Sequence, residues 1–252
     1  MKPWELIDSA AIPNSGGTMR LMRQGHNLVI HVDDRELMRN TVHGSEDALA
    51  ELTCDRLDNR QGSRILIGGL GMGFTLAAAL RGLGDDAQVV VAELVPAVVR
   101  WNRDLLGDAA GHPLADSRVS VYDGDVADLI RKPPALWDAI ILDVDNGPVG
   151  LTRATNYQLY SSRGLDSAFS ALKPRGILSV WSASPDRGFA RRFERAGFAV
   201  ESINLRSRGR RGGRRHLIWL GIRKAEGPRW QRKSSTNGET ETGTEGGKEG
   251  GI

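Results

Sequence analysis

The chain has 252 residues, 40% of them apolar, and a formal net charge of +3. This length and apolar content fit one sizeable core better than two. So small a net charge gives no global field for nucleic acid or an anionic membrane, and the single cysteine excludes an intramolecular disulfide. Five histidines without ligand spacing predict no metal site. We expect a cytoplasmic protein without a membrane partner, because the sequence shows neither a secretion signal nor about 18 consecutive apolar residues.

The N-terminal region, residues 1–44, is predicted to form a small β appendage. Thr18 to Met22 and Asn27 to Val32 are short extended runs around a polar turn that contains glycine, a pattern typical of a β-hairpin. Ser45 to Asp47 then combines a capping side chain with acids in a first turn, which predicts a helix that reaches about Asn59.

Residues 45–225 alternate between predicted strands and helices, which indicates a single domain. The predicted strands are Arg64–Gly68, Gln88–Glu93, Arg118–Tyr122, Asp138–Asp143 and Ile177–Trp181, and the predicted helices are Phe74–Leu83, Pro96–Leu106, Ala127–Arg131, Ser162–Leu172 and Gly188–Ala196. Such alternation with continuous apolar strands predicts a parallel sheet buried on both faces. Two last strands, Phe198–Leu205 and His216–Ile222, are joined by too few residues for a crossover helix, so they should pair antiparallel. The predicted fold class is α/β, a Rossmann-like sheet closed by an antiparallel C-terminal hairpin.

Two polar segments carry no signal of a packed core. Six arginines interleaved with glycines fill the segment Arg206–Arg215, which could contact phosphates of a nucleic acid. No aromatic residue interleaves there to stack on bases, and a simply solvated loop is the commoner use of such a charge run. Residues 226–252 are rich in Gly, Glu, Thr, Ser and Lys, a composition that predicts a disordered tail.

A glycine-rich turn follows the first strand of the predicted sheet. Glycines at such a turn let the backbone approach a ligand and let helix N–H groups point at it. The turn contains Gly68, Gly69, Gly71 and Gly73. A dinucleotide fingerprint is disfavoured, because the third glycine slot of G-x-G-x-x-G falls on Phe74. Glu93 ends the second strand about twenty residues later, where a carboxylate can accept both ribose hydroxyls, so we predict a nucleoside site.

The third strand leads into a second candidate contact with this nucleoside. Gly124-Asp125 resembles the Gly-Asp pair of S-adenosylmethionine-binding proteins, which implies that Asp125 accepts a hydrogen bond from an adenine amino group while Val126 packs on the ring. The alternative is that Asp125 caps the short helix that follows, a position that favours aspartate. Both roles could hold together.

The fourth strand ends in Asp143, followed by Asp145 and Asn146, in the crevice where the transferable group of a bound sulfonium would lie. An amine acceptor needs acids that hold it and take its proton as it attacks. Asp143 is the candidate base; the alternative is a structural role, in which it caps the loop or bonds to the glycine turn.

In order along residues 18–224, several short motifs resemble those of the spermidine synthase family. They are Ile67-Gly68-Gly69, Val91-Ala92-Glu93, Gly124-Asp125, Ile141-Leu142-Asp143 with Gly147-Pro148, and Leu159-Tyr160-Ser161. The resemblance implies a class I methyltransferase fold and a transferase that binds S-adenosylmethionine or decarboxylated S-adenosylmethionine. It also implies a small-molecule amine acceptor held by Asp145 and Asn146, and it makes a homodimer possible. Tyr160 could form a wall of the acceptor site; the alternative is that it anchors the loop as a hinge.

The departures from that family fall on the chemistry. Its glycine turn usually contains an aspartate that holds the ligand amine, whereas this sequence has Gly71 there. Its second acid after the fourth strand is Asn146 here, unless Asp145 takes over. Two alternatives therefore stay open: methyl transfer from S-adenosylmethionine, and a non-catalytic nucleoside-binding protein that contacts RNA through Arg206–Arg215.

Overall fold

The computed structural model describes residues 2–13, 17–132, 135–144, 158–206 and 212–224. Within these ranges the strands are β1 Glu5–Ala11, β2 Thr18–Gln24, β3 Asn27–Val32, β4 Arg35–Arg39, β5 Arg64–Gly68, β6 Gln88–Glu93, β7 Val119–Asp123, β8 Trp137–Leu142, β9 Leu172–Ser182, β10 Phe198–Arg206 and β11 Arg215–Arg223. The helices are α1 Gly44–Cys54, α2 Phe74–Gly82, α3 Pro96–Arg103, α4 Gly107–Ala110, α5 Val126–Ile130, α6 Ser162–Ala171 and α7 Arg187–Arg195, with a 3₁₀ turn at Pro113–Ala115. None of these helices is long and apolar enough to cross a bilayer.

The larger sheet has the strand order β10-β11-β9-β8-β5-β6-β7. Strands β5 to β9 run parallel, and β11 pairs antiparallel with both β9 and β10. The predicted parallel sheet with an antiparallel C-terminal hairpin is therefore confirmed.

Both faces of this sheet are buried, as its continuous apolar strands predict. Successive residues of β5 contribute to different cores, because side chains alternate across a strand. Ile65 and Ile67 pack with α1, α2 and α3, whereas Leu66 packs with Phe169 and Phe193 of α6 and α7. The carboxyl ends of β5, β6, β7 and β8 consequently meet along one edge of the sheet.

The smaller sheet is antiparallel, with the order β1-β2-β3-β4. Its centre is the predicted hairpin, in which Gln24 of β2 pairs with Asn27 of β3. The sequence predicted only the two strands of this hairpin, whereas β1 and β4 add one strand on each side. Both are edge strands with exposed, charged residues, a pattern that gives little periodic hydrophobic signal.

The small sheet packs against the large domain. Leu21 and Ile30 belong to the same core cluster as Ile67 of β5. In addition, the Trp101 Nε1 of α3 donates to the Asp8 Oδ2 of β1 at 2.7 Å, and this hydrogen bond is the largest cause of a lowered pKa at Asp8. The small sheet is thereby held over the edge where the parallel strands end.

Three predicted boundaries differ by three residues or more. Helix α1 ends at Cys54 rather than about Asn59, and α3 ends at Arg103 rather than Leu106. Strand β9 begins at Leu172 rather than Ile177. Leu172 pairs with Trp137, and the register then shifts before Ile177 pairs with Ala139. The irregularity explains why the segment between them has no strand-like pattern.

Candidate functional site

The carboxyl ends of the parallel strands border a cavity, and the small N-terminal sheet forms its opposite wall. Residues predicted for the site from four separate segments lie together in its lining. They are Gly69, Gly71, Glu93, Asp125, Val126 and Asp143. The common edge of a parallel sheet explains their convergence.

The glycine turn between β5 and α2 adopts a conformation that requires glycine. Gly69, Gly71 and Gly73 have φ angles of 89°, 52° and 83°, in the left-handed region that side chains disfavour. A Cβ on Gly69 would also overlap the carbonyl oxygen of Asp143. The turn therefore lies directly against the end of β8.

Two of the predicted ligand glycines serve packing instead of lining the cavity. A Cβ on Gly68 would lie 2.9 Å from the Val126 Cγ2, and one on Gly73 would lie 2.9 Å from the Asn102 Oδ1. Asn102 is buried, and its Nδ2 donates to the Gly71 carbonyl at 2.8 Å. Gly68 and Gly73 thus shape the turn, which Asn102 supports from behind.

Glu93, the predicted ribose ligand, is only 8% exposed. Its Oε2 accepts from the Leu70 N–H and its Oε1 from the Val95 N–H, each at 2.9 Å. A carboxylate oxygen can accept two hydrogen bonds, and Glu93 also lines the cavity. Its contact with ribose stays a prediction, to which the structure adds a role in holding the glycine turn.

Asp125 caps helix α5, as the structural alternative predicted. Its Oδ1 accepts from the Ala127 N–H at 2.8 Å. Asp125 and the buried Val126 also line the cavity. The second carboxylate oxygen of Asp125 does not take part in the cap. The predicted contact with adenine is therefore compatible with the cap.

Asp143 follows the central strand β8 and is recessed in the cavity lining. Its N–H donates to the Gly68 carbonyl at 2.9 Å, and its Oδ2 accepts from the Thr75 Oγ1 at 2.6 Å. Burial and the nearby charge of Glu46 raise the pKa of Asp143 to about 7, while the Thr75 hydrogen bond opposes that rise. The carboxyl group therefore changes protonation near neutral pH.

Glu46 is a site residue that sequence reasoning missed, since its place in the first turn of α1 was interpreted as helix capping alone. It lines the same cavity as Asp143. Burial raises the pKa of Glu46, and a hydrogen bond from the Ser45 hydroxyl at 2.7 Å acts in the opposite direction. The charge of Glu46 in turn contributes to the raised pKa of Asp143.

An apolar wall faces these acids from the N-terminal sheet. We define this apolar wall as Met19, Ile30, Leu37 and Met38, all of which line the cavity. Trp181, at the end of β9, lines it too. A Cβ on Gly71 would lie 2.8 Å from the Met38 Sδ, so the apolar wall is in close contact with the glycine turn.

Other predicted contacts lie elsewhere. Tyr160 is 2% exposed, and its ring packs edge-on against Phe189 in the core rather than in the cavity lining. Asp145 and Asn146 lie outside the described residues, as do residues 207–211 of the basic segment and 225–252 of the C-terminal tail. Across the described ranges, no group of three His, Cys, Asp or Glu side chains has a metal-binding arrangement.

No protein-family model matches this sequence, and no curated protein matches it. Solved structures do match the fold. A spermidine synthase in complex with the transition-state analogue AdoDATO aligns with a TM-score of 0.69 at 18% identity, over 88% of this chain and 73% of its own. Spermidine synthase from Thermotoga maritima aligns with a TM-score of 0.70 at 19% identity, over 88% and 74%.

A third solved structure, a probable spermidine synthase from Corynebacterium glutamicum ATCC 13032, aligns over 100% of both chains with a TM-score of 0.57 at 13% identity. At such identities the likeness establishes the fold, whereas activity has to be argued from the site. This chain has the fold of the spermidine synthases, a Rossmann-like α/β sheet preceded by a small antiparallel sheet, as the order of its sequence motifs predicted.

Proposed function

We propose that this protein is a transferase that binds S-adenosylmethionine or decarboxylated S-adenosylmethionine and transfers a group from its sulfonium sulfur to an amine. The carrying observation is Asp143, a carboxyl group with a pKa of about 7 in a cavity beside the glycine turn. A general base is most effective when its pKa lies near the working pH. The spermidine synthase fold of the three solved structures supports the aminopropyl form of the reaction.

The nucleoside would lie along the glycine turn, with Glu93 at its ribose and Asp125 and Val126 at its adenine. The helix α2 begins at this turn, and backbone N–H groups at a helix N-terminus are suited to polar ligand groups. No dinucleotide is proposed, because the sequence lacks the third glycine of that fingerprint.

The acid pair Glu46 and Asp143 would act on the amine. The lone pair of the neutral amine attacks the carbon bonded to sulfur, the C–S bond breaks, and its electron pair stays on sulfur as a neutral thioether. The nitrogen gains positive charge as the new C–N bond forms, and the charge of Glu46 stabilises it until the released proton passes to Asp143.

The proposal is tested by the nucleoside product. The protein is incubated with decarboxylated S-adenosylmethionine and a broad panel of amines, and the release of methylthioadenosine is measured by mass spectrometry. We expect release that Asp143→Asn lowers strongly. No release with any amine, from this donor or from S-adenosylmethionine, would refute a transferase.

A second candidate is methyl transfer, which the contact between Gly71 and Met38 favours. An aspartate that could hold a donor amine is absent from the turn, and Met38 occupies the space above it. In that case, the donor is S-adenosylmethionine and the measured product is S-adenosylhomocysteine. The two candidates are separated by which thioether accumulates when both donors are supplied.

A further inference from the structure

We infer that the acceptor is a monoamine with an apolar substituent, rather than a linear polyamine, and that the apolar wall holds this substituent. The inference rests on the proposed function, because it concerns the amine that the same cavity receives. It is carried by where charge and apolar surface lie among the described residues that line the cavity.

The first step concerns which acids are available to an ammonium group. The carboxylates in the described lining are Glu46, Glu93, Asp125 and Asp143. Glu93 binds two backbone amides of the glycine turn region, and Asp125 caps α5. Both belong to the part of the cavity assigned to the nucleoside, so Glu46 and Asp143 are the acids of the described lining that are left for the acceptor.

The second step concerns where these two acids lie. Glu46 and Asp143 line the same cavity, and one side chain, that of Thr75, contacts both residues. Thr75 links them: its Oγ1 lies 2.6 Å from the Asp143 Oδ2 and 3.5 Å from the Glu46 carbonyl oxygen. One cation is enough to offset the repulsion between two carboxylates that share a site. Such a pair therefore forms one ammonium site, not two separate ones.

The third step concerns the rest of the acceptor. The apolar wall, which consists of Met19, Ile30, Leu37 and Met38, is the part of the cavity lining that the N-terminal sheet contributes. Among the described lining residues, a second ammonium at the far end of a diamine would be desolvated against these side chains without an acidic partner, which is unfavourable. An alkyl or aromatic substituent in the same place would bury apolar surface instead.

The shape of the wall also suits a bulky group. Two of its four side chains are methionines, which adapt to irregular apolar shapes. Trp181 adds an aromatic surface from β9. A flat or branched substituent can therefore be covered on more than one side.

The experiment is calorimetric titration of amines into the full chain, with and without saturating methylthioadenosine. Hexylamine and phenethylamine are compared with putrescine and cadaverine. We expect the dissociation constants of the monoamines to be at least tenfold lower than those of the diamines. Met38→Glu should reverse this order by supplying a second acid opposite the pair, whereas the uncharged control Met38→Gln should not favour the diamines.

Tighter binding of the diamines by the unaltered protein, or binding of none of the four amines, would overturn the inference. A Met38→Glu variant that leaves the preference for monoamines intact would overturn the role of the wall. These outcomes are separate from a failure of the proposed function, which shows as absence of nucleoside product, because the titration requires no turnover.

Discussion

The surroundings of Asp143 favour the neutral form of its carboxyl group. Its neighbours explain this: burial and Glu46 raise its pKa, and the Thr75 hydroxyl only partly compensates. Perturbed titratable groups of this kind concentrate at functional sites, because the same desolvation that destabilises a charge gives a base its reactivity. The cost to folding and the benefit to chemistry can be measured on one residue.

Asp143→Asn should lower the transfer rate at least about 100-fold, because the base is lost. The same variant should be more stable than the unaltered protein at pH 8. The pKa of Asp143 is about 7 in the folded state and near 3.8 in the unfolded state, so stability is lost as pH rises through this window. Asparagine carries no such penalty and can still accept from Thr75.

Urea unfolding at pH 4, 6 and 8 measures the difference between these two proteins. We expect the advantage of Asp143→Asn to grow with pH and to exceed about 1 kcal/mol at pH 8. Thr75→Val is a matched control, since it removes the hydroxyl but leaves the acid. An advantage independent of pH would show that desolvation of Asp143 is not its cause.

The pH dependence of kcat/KM for the acceptor should show a limb near pH 7, with activity that rises as Asp143 loses its proton. Glu46→Gln should shift this limb to lower pH, because the neighbouring charge that raises the pKa of Asp143 is removed. Initial rates from pH 5 to 9 provide the measurement. A limb that does not move would mean that the two carboxyls are not coupled.

Gly71 is the residue at which donor preference should be adjustable. Gly71→Asp should lower the free energy of unfolding by about 1–2 kcal/mol, because the residue has a left-handed backbone. Its new Cβ would also lie 2.8 Å from the Met38 Sδ.

Met38→Ala should relieve that contact, and the double variant should favour the decarboxylated donor over S-adenosylmethionine more than the parent does. Calorimetry with both donors measures this preference, and an unchanged ratio would contradict the assigned position of the donor tail.

Helix α5 is short, and its first residue after the cap, Val126, packs against the glycine turn. Asp125→Ala should lower the free energy of unfolding by about 1 kcal/mol, because the N-cap is lost. It should also weaken nucleoside binding. Asp125→Ser is the control, since serine can cap the helix but is too short to reach an adenine amino group.

Thermal unfolding and nucleoside titration of both Asp125 variants separate the two roles. We expect serine to restore stability without restoring affinity. If serine restores both, the contribution of Asp125 to binding acts through the helix alone.

At the scale of elements, the parallel strands could be predicted because each is a continuous apolar run followed by a helix. The C-terminal hairpin followed from a connection too short for a crossover. Strands β1 and β4 could not be predicted in the same way, since edge strands carry exposed charged residues and derive their order from the neighbour they pair with. Recognition of β4 matters most, because it supplies Leu37 and Met38 to the cavity.

For the whole molecule, the half of the site built on the parallel sheet could be predicted, since strand ends of one sheet must converge. Glu46 could not, because the packing of α1 against α2 and β8 brings it into the same cavity as Asp143, and a helix cap explains its sequence position equally well. For Tyr160 the sequence left a wall of the acceptor site and a structural anchor both open. Its burial against Phe189 adds a packing role, and its contact with the acceptor stays a prediction.

The most direct test of the central claim compares the thermal stability of the protein with four nucleoside ligands. A ligand that binds only the folded state raises Tm, by an amount that grows with the logarithm of its concentration divided by its dissociation constant. We predict that methylthioadenosine and at least one of S-adenosylmethionine and its decarboxylated form, each added separately at millimolar concentration, raise Tm. NAD should not raise it, and Glu93→Ala should abolish the rise. Stabilisation by NAD alone, or by none of the four ligands, would contradict a sulfonium nucleoside at the glycine turn.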